Sequence, residues 1–196
     1  MATQSQEDAV LQSRDRTVIR TERIATPLGA MLAGATDNGI CLLEFIDSDR
    51  IERQLRRVQK LFRAELITDR NPHLNTLSIQ LEQYFAGSRK EFDLVVVALG
   101  TPFQQAVWKE LVKIPYGKTI SYKEEAERIG RPTAVRAVAR ANGANPISVV
   151  IPCHRVIGKN GKLVGYGGGL GRKQWLLDLE RKHVGGLSGY ERVQKA

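Results

Sequence analysis

Ser121-Tyr122-Lys123-Glu124-Glu125-Ala126-Glu127-Arg128-Ile129-Gly130-Arg131-Pro132-Thr133-Ala134-Val135-Arg136-Ala137-Val138-Ala139-Arg140-Ala141 is the stretch that decides how this chain folds. Ser121 has the short polar side chain that caps a helix N-terminus, and the helix it opens is expected to reach Ile129. Gly130-Arg131-Pro132 is a tight break. Pro132 is expected to open the next helix, which runs to about Gly143. Two short helices joined by a tight, glycine-containing turn have the shape of a helix-turn-helix. The second helix carries mostly small side chains, so its backbone can lie close to a groove. Arg136 and Arg140 are four apart and share a face. The plainer alternative is a core helix with two solvated arginines.

Charge weighs for the nucleic-acid reading. Residues 1–100 hold 13 Lys and Arg against 14 Asp and Glu, whereas residues 101–196 hold 17 against 7, so the C-terminal half carries the whole +9 excess. A basic half beside a neutral one points to a polyanionic partner. No apolar run approaches the length needed to span a bilayer, so no membrane partner is expected. The first 16 residues have no signal-peptide pattern. The two cysteines, Cys41 and Cys153, lie far apart, which fits a reducing, cytoplasmic setting better than a disulfide scaffold. With three histidines at 73, 154 and 183 they form no zinc signature, so no metal is expected.

Working outward, Thr101 caps and Pro102 opens a helix to about Ile114, with Phe103, Val107, Trp108 and Leu111 on one face. Before it, residues 17–24, 30–35 and 40–46 read as strands joined by turns at 26–29 and 37–39. Residues 51–62 and 74–85 read as helices, and 92–97 as a further strand. Cys41 falls in a strand and is expected in the core. Near the C-terminus a last helix covers about 171–182, with Trp175, Leu176 and Leu179 as its apolar face. The expected organisation is a loose arm over 1–16, an α/β domain over 17–99, a mainly helical domain over 100–183, and a loose tail over 184–196.

Chemistry concentrates in Ile151-Pro152-Cys153-His154-Arg155-Val156-Ile157. A thiol reacts as thiolate, and neighbouring positive charge favours that form. His154 is a candidate base and Arg155 a candidate source of charge. The alternative is a buried structural cysteine, since free Cys is among the most buried residue types. Gly165-Tyr166-Gly167-Gly168-Gly169 suits close approach of backbone to a ligand, but it lacks the ending of a phosphate loop.

With Pro152-Cys153-His154-Arg155 placed after a helix-turn-helix, the chain resembles the O6-alkylguanine-DNA alkyltransferases. The resemblance covers about 17–183 and rests on motifs in order: Phe103-Gln-Gln-Ala-Val-Trp108, Ile114-Pro-Tyr-Gly117, Ile120-Ser-Tyr122, Ala134-Val-Arg-Ala-Val138, Asn145-Pro146, Ile151-Pro-Cys-His-Arg-Val156, Gly165-Tyr166, and Arg172-Lys-Gln-Trp-Leu-Leu177 followed by Glu180. It implies a ribonuclease H-like N-terminal domain with a small antiparallel sheet and helices, and a helical C-terminal domain that binds double-stranded DNA. It further implies single-turnover transfer of the alkyl group from O6-alkylguanine to Cys153, without a cofactor, by a monomer. Activity on O4-alkylthymine stays open.

The roles implied by the resemblance are specific. Cys153 is the acceptor, activated through a water to His154, which Glu180 orients. Asn145 ties the turn to the cysteine segment. Tyr122 acts on the DNA side and on the leaving guanine, and Arg136 fills the hole left by a flipped nucleotide. The carbonyls of Cys153 and Val156 face the guanine amino group. Tyr166 belongs to the base site, and the Gly167 N–H faces the guanine oxygen, at a position where many relatives carry Ser. Thr133, Ala134, Arg136, Arg140 and Arg155 are expected on the DNA. Two other classes stay open: a non-catalytic helix-turn-helix binder or lesion flagger, and a Cys-His hydrolase, which would need its own oxyanion site.

Overall fold

The computed structural model describes residues 17–184. The loose arm expected over 1–16, and the tail beyond Val184, lie outside them. Strands β1 (Thr17–Ile24), β2 (Met31–Thr36) and β3 (Gly39–Phe45) form an antiparallel meander. Helix α1 (Ile51–Phe62) follows, then β4 (Ala64–Thr68) and α2 (Pro72–Phe85). The sheet order is β3-β2-β1-β4.

The expectation of a small antiparallel sheet needs correction, because β4 lies parallel to β1 and the sheet is mixed. The cause is α1, which carries the chain back across the sheet so that β4 re-enters in the direction of β1. That strand follows the helix with no glycine or proline between. Arg63 ends α1 in the left-handed conformation (φ 50°), and its N–H bonds the carbonyls of Gln59 and Lys60. A second correction concerns 92–97, which is not a strand. It touches β3 at one bridge, Ile40 to Val96, because the same edge of β3 also holds Ile147 through Leu43.

Every residue of β3 is buried, which explains its near-continuous apolar sequence. Val58 of α1 packs with Ile19, Cys41 and Leu42 on one side of the sheet. On the other side, Leu74, Leu77 and Leu81 of α2 join Met31, Leu43 and Phe45 in a core that continues into the second half of the chain, through Trp108, Leu111, Val138, Ile147 and Leu176.

That second half begins with α3 (Pro102–Val112), opened by a reciprocal Thr101–Gln104 capping box. Two-residue strands β5 (Ile120–Ser121) and β6 (Val156–Ile157) pair in parallel. The helix-turn-helix is α4 (Tyr122–Arg128) and α5 (Val135–Gly143). Ser121 and Glu124 form the capping box of α4. Gly130 takes φ 70° in the turn, a conformation glycine adopts at no steric cost. Pro132 does not open α5 as expected. Pro132 and Thr133 remain in the turn, held by the Arg131 N–H to Ala126 carbonyl bond, and the helix starts at Val135. Helix α6 (Leu170–His183) closes the described chain; Leu176 and Leu177 are buried, while Trp175 stays partly exposed against Phe85. No described helix is long and apolar enough to cross a membrane.

Candidate active site

The reactive segment rises from Asn145 to Cys153 against the edge of β3. Leu43 N–H donates to the Pro146 carbonyl at 2.9 Å, and Ser148 N–H donates to the Leu43 carbonyl at 2.8 Å. Between them and the cysteine, Val149 is held at φ 72° while buried. A β-branched residue in that region costs about 1–3 kcal/mol and persists only when its surroundings over-determine it. The following turn is a single 3₁₀ turn, Cys153–Arg155. Asn145 is fully buried and bonds three ways. Its Nδ2 donates to the Ile151 carbonyl at 2.8 Å and to Cys153 Sγ at 3.3 Å, and its Oδ1 accepts from the Ile147 N–H at 2.9 Å.

Helix α1 and its N-cap residue Arg50 grip the same asparagine from behind. Arg50 Nη2 and Gln54 Nε2 both donate to the Asn145 carbonyl, at 2.7 and 2.8 Å, and Arg57 donates to the Ala144 carbonyl. Arg50 Nε in turn sits 2.8 Å from the buried Glu44 carboxylate, in contact although not aligned as a hydrogen bond. No motif spacing announces this grip; the lone signal is a buried-type position occupied by Gln54 on a helix otherwise charged on its outer face.

Glu180 collects the other half of the site. It is fully buried near the end of α6. Its Oε1 accepts from His154 Nε2 at 2.9 Å, Tyr84 OH at 2.8 Å and Arg155, and its Oε2 accepts from the Gly117 N–H at 2.8 Å and Arg155 Nε at 3.0 Å. Burial alone would raise its pKa, but the hydrogen bonds from His154 and Arg155 and the Arg155 charge hold it at about 2. Burial holds the His154 pKa down, against the opposing pull of Glu180. The histidine is therefore neutral. A carboxylate only accepts, so His154 Nε2 carries the proton and Nδ1 keeps a free lone pair. That Nδ1 is buried and has no hydrogen-bond partner among the described residues.

Cys153 is 5% exposed. Burial raises its pKa, while the Asn145 amide and the charges of Arg50 and Lys173 lower it. The resting group is thus a thiol held ready by a donor. Arg155 plays no part in this, contrary to the sequence-based expectation. Its guanidinium is committed to Glu180 and the Ile114 carbonyl, and the residue is 7% exposed. The same burial removes Arg155 from the expected DNA-facing set, because a phosphate cannot reach it.

A cleft of about 570 Å³ opens over Cys153. Tyr122, Arg136, Tyr166 and Gly167 line it with the cysteine, joined by Arg53 of α1 and by Arg50, the N-cap residue of that helix. Tyr122 OH donates to the Val164 carbonyl at 3.1 Å; burial pushes its pKa up to about 12, so it stays a donor. Arg136 and Arg140 are exposed on α5, whereas Thr133 and Ala134 precede that helix. Val156 is buried beneath the cleft; its carbonyl accepts from Lys173 Nζ at 2.6 Å, and the Cys153 carbonyl accepts from the Val156 N–H. Each keeps a second lone pair. A Cβ at Gly167 would meet the Arg50 guanidinium, so the side chain absent there is replaced in space by Arg50. Lys173, which also bonds the Val164 and Gly165 carbonyls, was not legible as a site residue, since a buried lysine has no sequence signature. A larger apolar cleft of about 740 Å³ lies on the far side of Pro152, and no thiol faces it. No group of His, Cys, Asp and Glu fit to hold a metal exists among the described residues.

A buried thiol under an open cleft, with a helix-turn-helix arginine in its lining, defines a DNA-interacting protein built around one cysteine. The chain belongs to the 6-O-methylguanine DNA methyltransferase family, whose ribonuclease-like domain matches residues 19–99 and whose DNA-binding domain matches residues 102–182. It is 50% identical over 149 residues to a methylated-DNA--protein-cysteine methyltransferase of Mycolicibacterium paratuberculosis, covering 75% of this chain and 90% of that one. It is 43% identical to the protein of that name from Methanosarcina barkeri, covering 82% and 96%. Among solved structures, Mycobacterium tuberculosis OGT in complex with DNA superposes with TM-score 0.72 at 42% identity, covering 85% and 94%.

Proposed function

We propose that this chain repairs double-stranded DNA by moving an alkyl group from O6-alkylguanine to Cys153, once per molecule. The observation that carries the reading is the pairing of Asn145 with Cys153 Sγ beside a neutral His154 whose Nε2 is fixed by Glu180. The names of the curated relatives and the DNA complex of a structural relative support it.

The lesion must leave the base stack to reach a thiol 5% exposed, at a cost of a few kcal/mol. The thiol proton passes to His154 Nδ1, across a water. The sulfur attacks the alkyl carbon in line, the carbon–O6 bond breaks, and its electron pair leaves on guanine. Tyr122 OH donates to that developing anion, and the imidazolium is balanced by Glu180. The products are a cysteine thioether and guanine. Thioethers have no ordinary reversal, so the protein is spent; no cofactor enters the balance. A monomer in the cytoplasm suffices for this chemistry. The test is the mass of the intact protein after incubation with duplex bearing O6-methylguanine. One methyl per chain is expected. Repaired DNA without an adduct would indicate a hydrolase, and unchanged DNA a binder.

Arg136→Ala should slow repair of duplex far more than reaction with free O6-alkylguanine base. Arg136 is exposed on α5 at the cleft rim, where it can enter the stack and offset part of the unstacking cost. It touches no reacting atom. Single-turnover rates on saturated duplex and on free base decide the point: equal losses on both would reduce Arg136 to an ordinary phosphate contact.

Affinity for undamaged duplex should fall steeply with salt and depend little on sequence. The C-terminal half carries the positive excess, and each phosphate contact releases counterions. With about five contacts, the dissociation constant rises several-hundredfold between 50 and 200 mM salt, on the order predicted by a slope near −0.9 per contact. A salt-independent constant would contradict the phosphate-tracking mode.

A further inference from the structure

Glu125 and Asn142 form an isolated buried pair that the reaction does not use. Glu125 lies on the inner face of α4 and is fully buried; Asn142 lies on α5 and is 4% exposed. Asn142 Nδ2 donates to Glu125 Oε2 at 2.7 Å. The remaining oxygens of both side chains, Glu125 Oε1 and Asn142 Oδ1, are buried and have no hydrogen-bond partner among the described residues. If the carboxyl is ionised, both are acceptors and the pair lacks one donor. A proton on Oε1 supplies it: acid and amide then each give one hydrogen bond and take one. We propose that Glu125 enters the folded helix-turn-helix as the neutral acid and positions the DNA-contacting helix through Asn142, so that loss of its proton weakens DNA binding.

The surroundings favour the neutral form. From α3, Glu110 faces the pair with negative charge, and Lys113 and Arg128 are drawn to Glu110, at 2.9 and 3.7 Å. On α4 itself the other titratable neighbours are Tyr122 and Arg128, the latter partly exposed and drawn to Glu110. On α5, Arg136 and Arg140 are exposed. Strands β5 and β6 bring no titratable side chain. Burial raises the Glu125 pKa to about 7, with Glu110 adding to the rise and Asn142 and Arg128 opposing it. An isolated buried carboxylate is costly and is ordinarily paired; no cation among the described residues bonds this one.

The consequence reaches the site because Asn142 also lines the cleft over Cys153, together with Arg136 and Tyr122. The sign is fixed by the raised folded-state value. Neutral Glu125 contributes its full stabilisation below its ordinary value of 4.5, and that contribution is lost as pH rises through about 7. In DNA binding, one linked proton changes the dissociation constant by at most about tenfold per pH unit above that point.

Glu125→Gln isolates the effect, since a carboxamide gives and takes the same two bonds without a proton to lose. Titration of undamaged duplex from pH 6 to 8.5 should weaken wild type about tenfold more than the variant. Infrared difference spectra, wild type minus E125Q, should show a protonated carboxyl band at pH 6 that is gone at pH 8.5. Equal pH slopes, or an ionised carboxyl at pH 6, overturn the proposal. It rests on the helix-turn-helix reading of DNA contact. Failure of that reading shows separately, as absent duplex binding by both proteins at every pH, and it overturns the binding claim while the spectra still report the proton. Should E125Q not fold, ¹³C-glutamate labelling of wild type keeps the spectral test decisive.

Discussion

Cys153→Ser should end alkyl transfer altogether while leaving affinity for duplex intact. The native thiol is buried, and burial raises its pKa, so the group does not rest as an exposed thiolate. It needs a base, and the neighbouring His154, with its unpartnered Nδ1, is the candidate for that task. A serine hydroxyl is a much weaker acid than a thiol, and the same neutral imidazole cannot ionise it. The substitution removes little volume and keeps an atom able to accept from Asn145 Nδ2, so the fold should survive. The measurement is transfer of radiolabelled methyl from duplex DNA to protein, with a binding titration in parallel. No label with normal binding is the expected result. Cys41→Ser provides the contrast. Cys41 is buried in β3, burial drives its pKa up to about 12, and it donates to the Gly34 carbonyl at 3.4 Å. It should label as wild type does. Labelling of the Cys153 variant, or its loss in the Cys41 variant, would mean that the wrong thiol has been assigned.

The contrast between the two cysteines was partly legible in the sequence. Cys41 sits in a near-continuous apolar run, whereas Cys153 sits between a proline and a histidine just downstream of a helix-turn-helix pattern. Elements with capping residues or strong periodicity were read well: α3 and α4 begin at Thr101 and Ser121, where short polar side chains satisfy open N–H groups. Strand β4 escaped because Arg63, not a glycine, takes the left-handed turn before it, and such a conformation leaves no local signal. Residues 92–97 have a strand's composition but find half of a β3 edge already occupied by Ile147. At the site, neighbours in sequence were legible and partners across the fold were not. Arg155 follows the cysteine, and proximity suggested a shared role, yet its side chain turns to Glu180, 25 residues later. Arg50 and Gln54 reach Asn145 from more than ninety residues away. Only the packing of α1 against the cysteine segment brings them there.

Glu180→Gln should both slow transfer and destabilise the protein, and the two losses have one origin. In the native site a single carboxylate receives His154 Nε2, Tyr84 OH, the Gly117 N–H and the Arg155 guanidinium. All of these are donors. A carboxamide offers one accepting oxygen and turns an NH₂ group toward some of them, so donor faces donor. It also leaves the Arg155 charge buried without its counter-charge. Removing one partner of a buried pair costs about 3–5 kcal/mol, which for a chain of this length lowers the melting temperature by roughly 10 °C. Transfer should fall by on the order of 10²-fold, because His154 loses both the tautomer that frees Nδ1 and the charge that stabilises its protonated form. Acid sensitivity gives an independent signature. The Glu180 pKa is held at about 2, below its ordinary 4.5, so the ion pair contributes its full stability above pH 4.5 and loses it as pH falls towards 2. The wild-type melting temperature should therefore drop steeply across that window, and the variant, already lacking the charge, should drop less. Calorimetry from pH 2 to 7 and single-turnover rates at saturating duplex check both claims. A variant that melts and reacts like wild type would mean that Glu180 holds neither the histidine nor the fold.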